Sequence, residues 1–271
     1  MHSNGFPMRY GPWALVAGAA VGLGAEYARQ IAAHGLSLLL VDRDAAPLAA
    51  TAQEVRDATG VEVRTLVLDL ARADVADAVV AATTGLEIGL LVYNAAIGTV
   101  APFLAISTAN IQAMIDVNCR APIFLVHALA PAMVARGRGG IVLMSSMAGN
   151  VGSAQLTVYA ATKAFDLVFA DALWAELRGH GVDVLAVQPG QTRTPGWQSS
   201  QPPELQGPGP HVMEPPQVVS EALAALGVET NLIPGELNRQ SAQMLASLPR
   251  RQAIELISSI TETLVTTGRT S

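Results

Sequence analysis

Trp13-Ala14-Leu15-Val16-Ala17-Gly18-Ala19-Ala20-Val21-Gly22-Leu23-Gly24 is the stretch on which the fold turns. Its first five residues are an apolar run too short for a helix and without polar alternation, the pattern of a strand buried on both faces. The glycines at 18, 22 and 24 follow at once, and an Ala-rich helical segment runs from 22 to 34. A strand, a glycine turn and a helix start in that order let the backbone at Gly18, Ala20, Gly22, Leu23 and Gly24 approach a pyrophosphate. The free N–H groups and dipole at the helix start then favour the anion. Glycines alone mark any tight turn; their place between a first strand and a first helix gives the motif its weight.

Working outward, further apolar runs at 37–41, 61–68, 88–93, 140–144 and 182–187 alternate with helical stretches at 45–59, 71–84, 108–136 and 158–180. This rhythm predicts a doubly wound α/β domain, a Rossmann-like parallel sheet covered by helices, as a single domain spanning 1–271. Beyond residue 187 the rhythm changes. Residues 191–217 hold seven prolines and three glycines, a density that predicts neither helix nor strand. The stretch follows the C-terminal end of a strand, where open α/β sheets bind ligands, and it is read as a substrate lid. A helix near 218–226, a short segment 231–234 and helices near 237–247 and 250–266 follow, the last two forming a C-terminal helical extension over 237–271. No internal repeat is visible.

The 271 residues are 51% hydrophobic and 14% charged. A soluble domain averages about 25% charged, so this chain must bury a large core and cover further apolar surface by self-association. A net charge of −6 argues against a nucleic-acid-binding face. The one cysteine, Cys119, excludes an internal disulfide and a multi-cysteine metal site. Residues 1–13 lack the apolar stretch of a signal peptide. The uncharged stretch 88–110 is interrupted by Asn94, Gly98, Pro102, Ser107 and Thr108 and reads as strand, loop and helix start rather than a membrane span. A cytoplasmic protein is expected. Of the 16 basic residues, 15 are Arg and one is Lys163, which singles out a position where a compact, titratable charge is needed.

The chemistry-bearing residues lie near the strand ends. Asp42 closes the second strand 18 residues beyond Gly24, the spacing of a carboxylate that hydrogen-bonds a ribose 2′-hydroxyl and repels a 2′-phosphate. Arg43 beside it could pair with such a phosphate; the carboxylate is given more weight, so NAD is expected, with NADP as the alternative. Asp42 could equally cap the next helix. Tyr159 and Lys163 stand four apart on one helix and project from one face. A nearby cation favours phenolate and lowers a tyrosine pKa from about 10, which makes a general acid–base group usable near neutral pH. Spaced like this, a Tyr and a Lys are also a common helix surface pair. Ser145 and Ser146 follow the strand at 140–144, and Ser146 is 13 residues before Tyr159, close enough for both hydroxyls to meet one carbonyl oxygen. None of the five histidines is placed as a serine's base, which disfavours a hydrolase. Asn118, a polar amide in an apolar helical stretch, is either a satisfied core amide or part of a proton path.

These residues carry a resemblance to the short-chain dehydrogenase/reductase family over roughly residues 10–195. The family's Thr-Gly-x-x-x-Gly-x-Gly motif resembles Ala17 to Gly24, with Ala17 in the threonine place. Its adenine-side acidic residue is similar to Asp69, followed by Leu70, and its Asn-Ala-Gly resembles Asn94-Ala95-Ala96, with Ala96 departing from glycine. Its catalytic Asn, Ser, Tyr and Lys match Asn118, Ser146, Tyr159 and Lys163, and its Pro-Gly with a downstream threonine matches Pro189-Gly190 and Thr192 or Thr194. The resemblance implies hydride transfer between a nicotinamide and a carbinol or carbonyl carbon, with Tyr159 moving the proton, Ser146 orienting the oxygen, Lys163 holding the ribose and Asn118 anchoring a water. Residues 10–14 and 146–149 are similar to a hydroxysteroid dehydrogenase subgroup in which the residue matching Asp42 is small and the cofactor is NADPH, so Asp42 implies a different preference. In this family the helices at 108–136 and 158–180 pair across a two-fold axis, which implies a homodimer or homotetramer. The lid residues Trp197, Leu205, Val212 and Met213 suggest a small hydrophobic alcohol or ketone substrate. The competing readings are an NADPH-dependent ketone or 3-oxoacyl reductase, a nucleotide-sensing scaffold without activity, and an epimerase or dehydratase relative, for which the C-terminal region is thin.

Overall fold

The structure, a computed structural model, describes residues 5–200 and 211–267. Seven strands form one parallel sheet in the order β3-β2-β1-β4-β5-β6-β7. They are β1 (Trp13–Ala17), β2 (Ser37–Asp42), β3 (Val63–Val67), β4 (Ile88–Tyr93), β5 (Gly139–Met144), β6 (Val182–Val187) and the two-residue β7 (Asn231–Leu232). The chain winds outward from β1 to β3, then returns past β1 to β4 and the other edge. The crevice at that reversal, outside the carboxyl ends of β1 and β4, is where such sheets bind ligands.

Successive side chains of each central strand enter opposite cores, as period-2 geometry requires. Val16, Leu40, Val92 and Val142 face one cluster, together with Tyr27 and Ile31 of α2 (Gly22–Ala33), Leu48 and Val55 of α3 (Ala45–Thr59) and Val219 of α9 (Pro215–Ala225). Leu15, Leu39, Leu91 and Ile141 face the other, with Val79 of α4 (Val75–Ala82), Leu125 and Leu129 of α6 (Ala121–Arg136) and Ala170 of α7 (Thr157–Leu177). Burial on both faces explains why the strands read as continuous apolar runs.

Several boundaries differ from the sequence reading. The helix expected over 71–84 begins only at Val75, because Asp69 takes the Ala71 N–H on its Oδ1 and the Arg72 N–H on its carbonyl, closing a turn first. The 3₁₀ turn Arg178–His180 extends α7. An unpredicted short helix, α1 (Gly5–Tyr10), tucks Tyr10 under β4 and β5, where a Cβ on Gly140 would lie 2.9 Å from the Tyr10 ring. The stretch 108–136 is not one α-helix: α5 (Thr108–Ile115) and α6 are joined by a π turn, Asp116–Arg120. Pro122 lacks the N–H that would close an α-helical bond to the Asn118 carbonyl, and a wide turn accommodates that missing donor. This stretch is long and apolar enough to cross a membrane by length and composition; here it packs into the second core.

The described residues of the stretch 191–217 correct the expectation that prolines exclude helix. Pro195 opens α8 (Pro195–Ser200), and Pro215 and Pro216 open α9, first-turn positions where a missing N–H costs nothing. The segments 191–193 and 213 are fastened together: Arg193 N–H donates to Met213 O at 2.9 Å and Met213 N–H to Gln191 O at 3.0 Å. Leu205 lies outside the described residues. The C-terminal helices α10 (Glu236–Ser247) and α11 (Arg250–Thr267) follow. The second of them is bound to the loop after β5, with Ala154 N–H donating to Ser258 Oγ at 3.0 Å and the Ser153 and Thr261 hydroxyls 2.7 Å apart.

Candidate active site

A cavity of about 1140 Å³ opens at the crevice between β1 and β4. Its floor is the glycine turn. Gly18 takes φ +81° and Gly22 φ +61°, left-handed values that favour glycine. A Cβ at Gly24 would fall 1.8 Å from the Gly18 carbonyl oxygen, so only glycine lets α2 start this close to the turn. Gly18 and Ala19 donate to Val41 O, and Asn94 Nδ2 donates to Gly18 O at 2.8 Å, tying the turn to β2 and to the end of β4. The N-cap of α2 is Val21, whose side chain caps nothing, and the first turn carries no acidic residue. The helix start is thus left to satisfy its N–H groups on a ligand, and it favours an anion.

Asp42 lines this cavity. Its Oδ2 accepts from Ala20 N–H at 2.9 Å and its Oδ1 from Asp44 N–H at 3.2 Å, so the carboxylate both braces the glycine turn and faces the space beyond it. Its side chain does not cap α3. Arg43 lines the same region and is exposed. Asp69, Leu70, Asn94, Ala95 and Ala96 form the adjoining wall, and Pro189, Gly190, Thr192 and Thr194 the opposite rim. Thr194 comes close to the floor, since a Cβ on Gly22 would lie 3.1 Å from its side chain.

Ser146, Tyr159 and Lys163 line the other end of the same cavity. Ser146 Oγ accepts from Ala148 N–H at 3.2 Å, which leaves its own proton free to donate. Ser145, next to it, donates to Lys163 O at 2.7 Å and fastens the end of β5 to α7. Lys163 is 2% exposed; its Nζ lies 5.9 Å from the Tyr159 ring centroid and donates to Met144 O at 2.7 Å and to Asp166 Oδ2 at 3.1 Å. Burial pushes the Asp166 carboxyl up to about 6, with the Lys163 charge pulling the other way.

Three of the sequence-predicted residues stand behind the cavity wall. Ala20 and Gly24 shape the turn from beneath. The Asn118 side chain is a satisfied core amide: its Oδ1 accepts from Ile97 N–H at 2.9 Å, and its Nδ2 donates to Ile97 O at 2.8 Å and to Thr162 Oγ1 at 3.0 Å. The π turn aims it there, and it pins the 94–98 loop beside Tyr159. The described residues expected to face the substrate divide. Trp197 lines the main cavity, whereas Val212 and Met213 line a separate one of about 490 Å³.

The sequence reading missed Gly98, Leu156 and Thr261, all cavity-lining. It also missed Asp166, three residues beyond the only lysine. That spacing was a readable signal; the approach of Thr261 on α11, more than 100 residues downstream of Tyr159, was not.

The family described as short chain dehydrogenase matches residues 12–205, which holds the whole of this constellation. The chain belongs to the short-chain dehydrogenase family. It is an NAD(P)-dependent oxidoreductase acting on CH–OH donors. Among curated relatives, it is 33% identical to a 7β-hydroxysteroid dehydrogenase of Collinsella aerofaciens, over 86% of this chain and 89% of that one. Among solved structures, it is similar to one from a study of 7β-hydroxysteroid dehydrogenase stereoselectivity, with a TM-score of 0.86 and 31% identity over 93% of this chain and 98% of the other. A short-chain dehydrogenase from Sphingobium yanoikuyae in complex with NADPH superposes with a TM-score of 0.76 at 32% identity, over 88% and 97% of the two chains. The uncapped helix start, the turn that only glycines permit and the size of the cavity all fit a nicotinamide dinucleotide.

Proposed function

We propose that this short-chain dehydrogenase oxidises hydrophobic secondary alcohols, hydroxysteroids among them, with NAD, and reduces the matching ketones in reverse. The observation that carries the reading is that Ser146, Tyr159 and Lys163 share one cavity with the glycine turn. A nicotinamide dinucleotide held here would supply the chemistry of hydride transfer to and from the carbinol carbon. In oxidation Tyr159 takes the hydroxyl proton of the substrate and passes it to solvent; in reduction it donates a proton to the forming alkoxide. Ser146, its proton uncommitted, donates to the substrate oxygen and orients it. Lys163 stabilises negative charge on the phenol oxygen as the proton moves and reaches toward the cofactor ribose. Asn118 acts through Ile97 and Thr162, holding the loop and helix that flank Tyr159.

Gly18, Gly22 and Leu23 would hold the pyrophosphate, Asp69 and Leu70 the adenine, and Asn94 to Ala96 with Pro189, Gly190, Thr192 and Thr194 the nicotinamide half; all of them line the cavity. Asp42, facing the space beyond the turn, accepts from a ribose 2′-hydroxyl and repels a 2′-phosphate, which favours NAD. Use of NADP is the second reading: exposed Arg43 lines the same end of the cavity, and the S. yanoikuyae relative is in complex with NADPH. Trp197 and Leu156 give the substrate end an apolar lining suited to a bulky ring system, with Thr261 of α11 as its polar neighbour. Exposed Ile115, Phe124 and Val168 on α5, α6 and α7 provide an apolar face for a homodimer or homotetramer, which sedimentation velocity would register.

The test is a panel of secondary alcohols and ketones, bile-acid-type steroids included, followed at the reduced-cofactor absorbance with NAD(H) and with NADP(H). Turnover of hydrophobic members, faster with NAD, is expected. No turnover across the panel with either cofactor would overturn the reading.

A further inference from the structure

We propose that Asp166 is a positioning residue for the active-site cation: its carboxylate keeps Lys163 charged and seated beneath the cavity before any ligand enters. The proposal rests on the reading of Tyr159 and Lys163 as the reacting pair, and it adds a residue that the Asn, Ser, Tyr, Lys set does not contain.

The argument starts from burial. Lys163 is 2% exposed, and an ammonium held out of water sheds its proton unless charge or dipoles replace the lost solvent. Met144 O, 2.7 Å away at the end of β5, supplies a dipole without net charge. Asp166 Oδ2, 3.1 Å away and one turn further along α7, supplies a full negative charge. Among the described residues no other carboxylate is in ion-pair reach of Lys163, and no other cation is in reach of Asp166.

The remaining titratable groups facing Asp166 are neutral. Tyr93, projecting from β4, donates its hydroxyl proton to Val117 O at 2.5 Å, and burial raises its phenol well above the ordinary value. Cys119, in the π turn, is a thiol pushed up to about 11 by burial, with the Asp166 charge adding to the rise and Lys163 opposing it. Lys163 and Asp166 therefore form an isolated, net-neutral pair roofed by the cavity that holds Tyr159.

Stability does not account for such a pair, because well-packed apolar residues in place of a buried ion pair are often neutral or stabilising. The burial that raises the Asp166 carboxyl to about 6, even with a cation beside it, points the same way. What the pair supplies is a lysine that stays an ammonium in a dry site and points along a fixed line from α7 to the end of β5.

Because Lys163 is the only lysine, labelling with ζ-¹⁵N lysine gives one side-chain signal, and the ligand-free protein can be titrated directly. In D166N the ammonium signal is expected to give way to free amine at a pH lower than in wild type by about one unit or more, and D166E is expected to restore the wild-type trace. Superimposable traces for wild type and D166N would overturn the proposal. If D166N does not fold, the wild-type signal decides: a second inflection on the acid side, where the neighbouring carboxyl titrates, supports the pairing, and a trace with only the amine's own transition refutes it.

Kinetics give the second readout. K163M/D166N should be no slower than K163M alone; additive losses would mean that Asp166 acts through something other than Lys163. Failure of the functional reading is separable. A fully active Y159F would remove the oxidoreductase roles, while the titration without cofactor would still decide whether Asp166 holds Lys163.

Discussion

Replacing Gly98 by alanine should disable the site with little effect on the fold. A Cβ built at this position lies 2.9 Å from Tyr159 Cδ2, 3.3 Å from Cε2 and 3.4 Å from Cγ. Carbon atoms settle at about 3.5–4.0 Å, so the ring or the loop must give by roughly 0.6–1 Å. Those are atoms of the ring body, not the far end of a flexible chain, and the backbone behind them is fastened by the Thr162 hydroxyl, which donates to Tyr159 O at 2.8 Å. A displacement near 1 Å at a reacting group costs about 10²-fold in rate, or about 2.7 kcal/mol of transition-state stabilisation. Gly98 is itself exposed, so unfolding free energy should change by no more than about 0.5 kcal/mol. The assay is kcat at saturating alcohol and dinucleotide beside a denaturant titration. Gly152→Ala is the control, because a Cβ there meets nothing within 4 Å. If G98A keeps a kcat within about threefold of wild type while both glycine variants unfold like wild type, the steric coupling between this loop and Tyr159 is wrong.

The other predictions address the cofactor end, the base of the sheet and pH. Asp42→Ser should raise the ratio of kcat/KM with NADP to that with NAD by about tenfold or more, since a like charge facing a phosphate is removed; an unchanged ratio would mean that Asp42 only braces the turn. Tyr10→Phe should cost about 1–3 kcal/mol in chemical unfolding, because the hydroxyl donates to Asp183 Oδ2 at 2.7 Å and contacts Leu226 O at 3.3 Å in a position 1% exposed; a loss below about 0.5 kcal/mol would contradict this. Burial raises the Asp166 carboxyl from 3.8 to about 6, so its contribution to folding is fully present below pH 4 and is lost as pH rises through about 6. At 1.36 kcal/mol per pH unit, wild type should lose up to about 3 kcal/mol relative to D166N between pH 4 and 7; a pH-independent difference would refute it.

The sheet and the glycine turn were legible because their signals are local: doubly buried strands read as apolar runs, Gly18 and Gly24 sit where chain geometry leaves no room for a Cβ, and Gly22 takes a left-handed φ. Tyr159 and Lys163 were legible for the same reason, being one helical turn apart. The six-residue α1 was not, since it is shorter than two helical turns and its role is to place Tyr10 under β4 and β5. The π turn at Asn118 needed the consequence of Pro122 to be followed back four residues, and Pro195 needed to be read as a helix start instead of a breaker. Thr261 reaches the site through the packing of α11 on the 150–154 loop, a contact that no spacing records. Asp166 was on the same helix as the lone lysine, but a pairing that looks only to Tyr159 passes over the carboxylate on the other side.

The most direct measurement is turnover and dinucleotide binding by Tyr159→Phe. The account predicts that alcohol oxidation falls to background while the cofactor still binds with affinity close to wild type, because the glycine turn and Asp42 are untouched. Wild-type turnover in that variant would contradict the role given to the phenol and, with it, the chemistry assigned to the cavity.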